Sequence, residues 1–324
     1  MSSPLAGRSL LITGGTGSFG RAFVRRALDD GAARVVIYSR DEAKQAALLT
    51  AHDTDPRLRC FIGDVRDADR LRWALRGVDL LVHAAALKRI DTCEQDPAEA
   101  VATNVTGTLH VAQAAIREHV ARAVFLSTDK AAAPCTLYGM TKATAERLWI
   151  QSNVYAAGTE TRLSATRYGN VLGSTGSVVP MWRAEVERTG TLTLTDPDAT
   201  RFWMTMPDAV ALVLHAFEAM CGGETFVPLI GSASVDTLAR AMVPDAVRRI
   251  VGLRAGEKRH ETLISQDEAS RTYDSGFHYV ITPAVESWGR APSLGRAPVH
   301  PQFSYRSDTN PRTLSVRDLQ EMLP

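Results

Sequence analysis

The chain has 324 residues, enough for two lobes at about 150 residues per domain, and its formal net charge of +1 excludes the broad electrostatic field that attracts nucleic acid or an anionic membrane. No apolar run reaches the ~18 residues of a membrane span, and the four cysteines and eight histidines show neither disulfide nor metal-ligand spacing. We therefore expect a cytoplasmic protein with reduced cysteines, no bound metal and no signal peptide.

A glycine-rich turn follows the first predicted strand, residues 10–13. Its glycines are spaced three apart between that strand and a segment with helical apolar periodicity. In such a position the backbone at the start of a helix can approach a pyrophosphate. The turn therefore predicts a nucleotide-binding site rather than a plain tight turn, with contacts at Gly14, Thr16, Gly17, Ser18, Phe19 and Gly20.

The end of the second predicted strand, residues 34–38, bears on the choice of cofactor. An acidic residue at this tip would bind a ribose 2′-hydroxyl and select NAD. The tip instead offers Ser39 and Arg40, with Lys44 one turn further on, and these groups suit a 2′-phosphate. We therefore expect NADP, provided that Asp41 and Glu42 serve to begin a helix.

Further cofactor contacts are predicted at the end of the third strand, residues 61–65, and after the fourth strand, residues 78–83. Asp64 could bind the adenine amine, and small residues after the fourth strand would let a cofactor lie close to the backbone. Lys88 is either a ribose or substrate contact or a solvated lysine, and Asn104 is either a cofactor contact or a helix cap. The candidates are Asp64, Val65, Ala84, Ala85, Ala86, Lys88 and Asn104.

The densest group of reactive side chains follows the fifth predicted strand, residues 123–126. Ligands bind at the C-terminal edge of open α/β sheets, so these side chains are expected in the site. Tyr138 and Lys142 are spaced i, i+4 and share a helix face, where an ammonium lowers the pKa of a phenol. Lowering that pKa by about three units requires ~4 kcal/mol and would make Tyr138 a general base. The alternative is a packed tyrosine beside a solvated lysine.

Lysine usage supports a proton-transfer role for this group. Of the 37 basic residues only five are lysines, at positions 44, 88, 130, 142 and 258. Arginine cannot release its proton in a protein whereas lysine can, so the retained lysines mark places where a proton moves or a compact ammonium is needed. Two of them, Lys130 and Lys142, lie in this group, and Lys130 follows Asp129. Accidental clustering is the alternative.

The second half of the chain is predicted to add a substrate lobe. After a sixth strand at 163–166, a polar, glycine-rich segment begins at residue 173 and changes the composition. We assign 1–170 to a cofactor domain, with 196–220 packing back on it, and 171–195 and 221–324 to the substrate lobe and tail.

Two arginines of this half are candidates for a diphosphate site. Arg201 lies in a predicted strand at 200–204 and Arg254 in a charged turn, where each could bind a diphosphate or form a surface ion pair. Residues 283–311 are predicted to be surface loops, and a last helix at 316–323 has a capping pattern at Ser315 and Asp318.

Taken together, the motifs resemble those of an extended short-chain dehydrogenase/reductase. They are TGGTGSFG (13–20), STDKA (127–131), LYGMTK (137–142), RYGNVLGSTGSVVP (167–180), TRFWMT (200–205) and GLRAGEKRHE (252–261). Within that superfamily the chain is similar to the UDP-N-acetylglucosamine 4,6-dehydratases that invert C5 and open pseudaminic acid synthesis; long membrane-anchored relatives carry Met in place of Tyr138. It departs from the family pattern at 89–91 and at Thr175, where relatives have Arg. The resemblance implies an α/β fold with a Rossmann-type doubly wound parallel sheet and a smaller C-terminal substrate lobe.

The resemblance also implies a mechanism with tightly bound NADP that is reduced and reoxidised in one turnover. Tyr138, assisted by Lys142, would take the C4 hydroxyl proton, Lys130 would remove the C5 hydrogen, and Asp129 would protonate the departing C6 hydroxyl. Thr128 is grouped with these catalytic residues. Contacts to a UDP-sugar are implied for Lys88, Asn170, Ser177, Val178, Arg201, Arg254 and Glu257, and relatives suggest a homo-oligomer.

Three alternatives stay open at this point. A UDP-sugar 4-epimerase on the same scaffold would need Tyr138 and Lys142 but no elimination pair. A C5-retaining dehydratase is the second, although related retaining enzymes have Glu where this chain has Lys130. A nucleotide-binding sensor without activity is the third.

Overall fold

The computed structural model describes residues 3–285, 288 and 297–324. Its strands are β1 Ser9–Thr13, β2 Arg34–Ser39, β3 Leu58–Ile62, β4 Leu80–His83, β5 Arg122–Leu126, β6 Arg162–Thr166, β7 Asn170–Val171, β8 Thr191–Leu194, β9 Thr200–Met204, β10 Thr225–Pro228, β11 Ser232–Ser234, β12 Val247–Ile250, β13 Thr262–Ile264, β14 Thr272–Asp274, β15 His278–Ile281 and β16 Tyr305–Arg306.

The helices are α1 Ser18–Asp29, α2 Glu42–Ala51, α3 Ala68–Leu75, α4 Ile90–Gln95, α5 Pro97–Val101, α6 Gly107–Arg117, α7 Leu137–Gln151, α8 Val178–Thr189, α9 Met206–Ala219, α10 Val235–Met242 and α11 Val316–Met322. A π-helical turn, Ala102–Thr106, joins α5 to α6, and short 3-10 turns occur at Asp129–Ala131, Ser152–Val154 and Gln266–Arg271. Among the described residues, no helix combines the length and apolarity that crossing a bilayer requires.

A nine-stranded sheet of order β14-β15-β10-β6-β5-β4-β1-β2-β3 forms the centre of the molecule. The strands from β10 to β3 run parallel, and β15 and β14 add an antiparallel edge. Successive strand side chains point to opposite faces, so Leu10 and Ile12 pack beneath α1 and α9 while Leu11 packs beneath α3, α6 and α7. Helices therefore cover both faces, which confirms the predicted doubly wound α/β fold.

The sheet differs from the sequence prediction in its C-terminal part. Strands β10, β14 and β15 belong to the central sheet, although residues 221–324 were assigned to the substrate lobe. The link is the parallel pairing of Thr225 with Ala165, which joins segments 60 positions apart. Of the segment 196–220, α9 packs its buried face on the central sheet beside α1 as predicted, whereas β9 belongs to the smaller lobe.

The third strand lies earlier than predicted. Because β3 is Leu58–Ile62, Asp64 and Val65 stand in the loop that follows it instead of in the strand. This strand forms the edge of the sheet and Arg59 is exposed, so its apolar signal is weak. The chain turns away at Gly63, where an added Cβ would lie 2.4 Å from the ring of Tyr38.

A smaller lobe carries its own sheets, β11-β9-β7, β8-β12 and β13-β16. Its core joins Trp182, Trp203, Leu238 and Leu319, which come from α8, β9, α10 and α11. Helix α11 begins with the predicted capping box of Ser315 and Asp318. The prediction of surface loops at 283–311 is wrong in part, because this range contains the strand β16 and the buried residues Tyr305, Ser307 and Asn310. Residues 286–287 and 289–296 lie outside the described residues.

A buried ion network ties the lobes together. Arg167, at the end of β6, donates to Glu146 of α7 at 2.5 Å and to Glu268 of the 3-10 turn at 2.8 Å, and all three side chains are at most one-tenth exposed. Burial works against these charges, but the two carboxylates raise the pKa of Arg167 and the guanidinium lowers that of Glu268 to about 2. Helix α7 is thereby fixed to a segment more than 100 positions further along the chain.

Candidate active site

A cleft of about 1650 Å³ opens between the C-terminal edge of the central sheet and the smaller lobe. Every residue predicted for the site lines this cleft except Asn104. Among the described residues, no group of three or more histidine, cysteine, aspartate or glutamate side chains could hold a metal ion. Because the predicted site residues line it, the cleft is the candidate active site.

The glycine turn is shaped for close approach of a phosphate group. Gly14 has a φ of +66°, and a Cβ added there would lie 2.9 Å from the backbone of Ala85. A Cβ at Gly20 would lie 2.4 Å from the backbone of Gly15. Helix α1 begins at Ser18 after a glycine, so its first turn has no side-chain cap, and the residues of that turn line the cleft. These features fit the pyrophosphate of a dinucleotide.

The tip of β2 carries basic residues whose charges are already paired. Lys44 contacts Asp41 at 2.7 Å, and Arg40 lies 3.6 Å from both Asp64 and Glu99. Asp41 is the N-cap of α2 and accepts from the Lys44 backbone N–H, so it does begin a helix, as the NADP prediction requires. The tip itself ends on a serine, without an acidic residue in the strand.

Asn104 is neither at a helix end nor in the wall of the cleft, although a helix cap and a cofactor contact were its two predicted roles. It is buried in the π-helical turn inside a continuous helical segment, so it is not a cap, and it does not line the cleft. Its Oδ1 accepts from the Leu87 N–H at 2.8 Å, and its Nδ2 donates to the Leu87 carbonyl at 3.0 Å and to Thr141 Oγ1 at 3.1 Å. The side chain therefore braces the loop after β4 against α7.

The proton-transfer candidates meet at the end of β5. Lys130 Nζ lies 3.0 Å from Asp129 Oδ1 and 3.5 Å from Asn170 Oδ1. Thr128 donates to Asp129 at 2.9 Å. Asp129 is 1% exposed, whereas Lys130 keeps 26% of its side chain exposed toward the cleft. Burial disfavours the Lys130 charge, but the neighbouring carboxylates outweigh it and raise the pKa of this ammonium above its usual range.

Tyr138 and Lys142 share a face of α7 as predicted, but their electrostatics differ from expectation. Burial raises the pKa of Tyr138 to about 12, and the ammonium that opposes this rise is that of Lys130. Burial lowers the pKa of Lys142 to about 7. The Lys142 amine donates to the Leu126 carbonyl at 2.7 Å and lies 3.8 Å from the centre of the Phe125 ring. Helical spacing thus predicts the shared face, but burial and tertiary neighbours determine the pKa values of Tyr138 and Lys142.

Glu261 is a site residue that the sequence prediction missed. It is the last residue of GLRAGEKRHE, close to the predicted substrate contacts Arg254 and Glu257, but nothing in the sequence distinguished this glutamate as a site residue. Its side chain is 4% exposed and Oε1 lies 3.4 Å from Lys130 Nζ. Burial raises the pKa of Glu261, against the pull of Lys130.

The predicted diphosphate residues form part of the same cleft. Arg201 is buried, and its guanidinium contacts Glu257 at 3.0 Å and donates to the backbone carbonyls of its own strand neighbour and of Arg259. Arg254 is exposed, and its backbone N–H donates to Glu257 at 3.3 Å. The surface ion pair expected as an alternative for Arg201 is thus wrong, because its pair with Glu257 lines the cleft.

Thr175 makes three hydrogen bonds that connect the glycine turn and Lys88 to the start of the smaller lobe; this residue with its three bonds is called the 175 strap. Thr175 N–H donates to Ser18 Oγ at 2.8 Å, and Lys88 Nζ donates to the Thr175 carbonyl at 2.5 Å. Ser18 Oγ also donates to Thr175 Oγ1 at 2.8 Å. Lys88 is therefore not a freely solvated lysine. After the strap, Ser177 and Val178 begin α8 in the cleft wall.

Sequence comparisons agree with a sugar-nucleotide enzyme scaffold. A family model described as "Polysaccharide biosynthesis protein" matches residues 10–283. The chain is 41% identical over 326 residues to an inverting UDP-N-acetylglucosamine 4,6-dehydratase of Campylobacter jejuni strain 81-176, covering 98% of this chain and 97% of the relative. It is 42% identical over 282 residues to a UDP-glucose 4-epimerase of Rickettsia massiliae, covering 85% of this chain and 82% of that relative.

Solved structures share the architecture. The X-ray structure of Pen from Bacillus thuringiensis superposes with a TM-score of 0.88 and 32% identity, covering 98% of both chains. DesIV, a dTDP-glucose 4,6-dehydratase from Streptomyces venezuelae solved with NAD and TYD bound, gives a TM-score of 0.69 and 27% identity, covering 77% of this chain and 86% of DesIV.

Proposed function

The chain belongs to the polysaccharide biosynthesis protein family, and from this premise we propose that it is a C5-inverting UDP-N-acetylglucosamine 4,6-dehydratase. The product would be a UDP-2-acetamido-2,6-dideoxy-hexos-4-ulose. The observation that carries the proposal is the contact of Lys130 with Asp129, 3.0 Å apart, in the cleft that Tyr138 also lines. Elimination of water needs a base and an acid side by side, and this pair supplies both.

The proposed residue roles follow the proton balance of the reaction. A nicotinamide cofactor held along the glycine turn would supply the hydride transfer from C4 and back to C6. Tyr138 takes the C4 hydroxyl proton, Lys130 takes the C5 proton, and Asp129 gives a proton to the departing C6 oxygen. Two protons leave the sugar, one departs in water and one returns to C5. Lys142 orients the site through its bond to the Leu126 carbonyl.

We propose NADP as the cofactor, held along the glycine turn and the tip of β2. The support is the serine at the end of β2, the helix-capping role of Asp41, and the position of Arg40 and Lys44 in the cleft wall, where a 2′-phosphate would compete with their present carboxylate partners. Mass spectrometry of the nucleotide released by denaturation tests this. Arg40→Ala should weaken NADP binding by about tenfold or more and leave NAD binding unchanged, since a charged hydrogen bond contributes about 1.5–3 kcal/mol. Equal effects on both nucleotides would reject NADP selectivity.

We propose that the smaller lobe holds the UDP portion of the substrate. Arg201 and Arg254 would bind the diphosphate, Glu257 would orient Arg201, and the first turn of α8 at Ser177 and Val178 would add backbone donors. Asn170 and Lys88 would contact the sugar end, and Arg201→Lys should raise KM far more than it lowers kcat. A cytoplasmic location and a homo-oligomeric state remain predictions, which cell fractionation and light scattering would check.

The deciding experiment incubates the purified protein with UDP-N-acetylglucosamine and no added cofactor. The expected product has lost one water by mass spectrometry, and in heavy water it carries deuterium at C5. For product made in ordinary water, proton coupling at C5 in a fresh NMR spectrum then separates inversion from retention. Recovery of unchanged substrate would reject the proposal.

A UDP-sugar 4-epimerase is the second candidate, because a relative of that name is 42% identical over most of the chain. An epimerase needs Tyr138 but no elimination pair, so Lys130→Ala should hardly change its turnover. The dehydratase proposal expects the same variant to lose elimination. Appearance of a C4 epimer without loss of water would favour the epimerase.

A further inference from the structure

Two buried carboxylates flank the amine of Lys130, and only Asp129 has a role so far. Glu261 approaches from the opposite lobe, where it immediately precedes β13, and its Oε1 lies 3.4 Å from Lys130 Nζ. The second oxygens of the two carboxylates, Asp129 Oδ2 and Glu261 Oε2, are buried and accept no hydrogen bond from any described residue. A buried carboxylate oxygen without a donor is costly, so the charge of each carboxylate must be matched by a nearby cation.

Three cations face Glu261 from the described elements packed against it. They are Lys130 at 3.4 Å, Arg201 at 3.9 Å and Lys258 at 3.9 Å. Arg201 already pairs with Glu257 at 3.0 Å, and Lys258 donates to the Ala132 carbonyl at 3.0 Å. Lys130 is therefore the nearest cation to Glu261, and Asp129 is the carboxylate that shares it.

We infer that Glu261 is a positioning residue for Lys130, whose buried charge sets the base strength of the Lys130 amine in the C5 step. This inference rests on the proposed dehydratase function. When the amine takes the C5 proton, a C–H bond breaks and an N–H bond forms, and a positive charge develops on Nζ beside the Glu261 carboxylate while Asp129 still holds the proton that it gives to the C6 oxygen. Glu261 stabilises that charge as it forms, so it strengthens the base and also raises the pH at which Lys130 releases its proton.

The test follows C5 hydrogen–deuterium exchange of UDP-N-acetylglucosamine against pH in wild type and Glu261→Gln. Gln keeps the shape and removes the charge. The rising limb of the exchange rate should move to lower pH by about one to three units, because an opposite charge within 4–6 Å shifts a pKa by that amount. The rate on the plateau should also fall, since a weaker base removes the same proton more slowly.

Glu257→Gln is the matched control, because it removes a carboxylate of the same cleft that pairs with Arg201 instead of Lys130. It should raise KM and leave the pH of the limb in place. A Glu261→Gln limb that superposes on that of wild type would overturn the inference. Failure of wild type to exchange C5 at all would instead reject the dehydratase proposal, so the two failures are distinguishable.

A second measurement on wild type covers the case that Glu261→Gln does not fold. The rate at which an amine-reactive ester acylates each lysine is followed by mass spectrometry across pH, and each curve is normalised to its own maximum. The half-maximum for Lys130 should lie at higher pH than that for Lys44, which is exposed at the surface. A half-maximum at or below that of Lys44 would overturn the inference.

Discussion

Replacing Lys130 with arginine separates the need for a positive charge from the need for a proton that moves. The guanidinium can keep contact with Asp129 and Glu261, now 3.0 and 3.4 Å from the amine, so the fold should be retained. It cannot act as a base, because arginine does not lose its proton in a protein. Lys130→Arg should therefore lower kcat for loss of water by at least about 10³-fold, or ~4 kcal/mol in activation free energy.

The assay is loss of water from UDP-N-acetylglucosamine by mass spectrometry, with C5 deuterium exchange measured in parallel. The matched control is Lys258→Arg, which changes the other lysine facing Glu261 but no proposed base. It should lose far less activity than Lys130→Arg, because Lys258 donates to a backbone carbonyl and lies 3.9 Å from Glu261. If Lys130→Arg retained a tenth of wild-type turnover, the proton-transfer argument from lysine usage would be refuted.

Three further results are expected. Gly20→Ala should abolish retention of the nucleotide through gel filtration, because its Cβ would lie 2.4 Å from the Gly15 backbone; wild-type nucleotide content would contradict the fit of the turn. Arg167→Met should lower the free energy of unfolding by about 3–5 kcal/mol in chemical denaturation, since two buried carboxylates lose their cation. Its control, Arg317→Met, breaks an exposed pair and should cost less than about 0.5 kcal/mol; similar losses would contradict the network. Because the pKa of Glu268 is lowered from 4.5 to about 2, its contribution should be complete above pH 4.5 and lost as pH falls toward 2, and an Arg167→Met protein should show a flatter stability profile across that range.

The features that could be predicted from sequence are those fixed by neighbouring residues. Predicting the glycine turn required only that its backbone have no room for a Cβ. Predicting that Tyr138 and Lys142 share a face required only the period of a helix. The capping box at Ser315 follows the same rule. The cleft therefore contains nearly all the predicted residues, since motifs at the ends of parallel strands meet at one edge of the sheet.

The features that were missed depend on contacts between distant segments. Glu261 meets Lys130 across 131 positions, and the pKa of Tyr138 follows burial and Lys130 instead of its helical neighbour. Asn104 braces a loop because a π-helical turn rotates it inward, which its place in an alanine-rich helix did not indicate. The apolar periodicity of β10 likewise could not place it in the central sheet, because periodicity within one strand does not show which distant strand, here β6, it pairs with.

The participation of β10, β14 and β15 in the central sheet has a consequence for protein engineering. A fragment that stopped at residue 220 would keep the glycine turn but would leave β6 as an open edge, with backbone groups ready to pair with another chain. Grafting a foreign sugar-binding half after β6 would meet the same obstacle. Chimeras should exchange only the loops that project into the cleft and leave these three strands with their own scaffold.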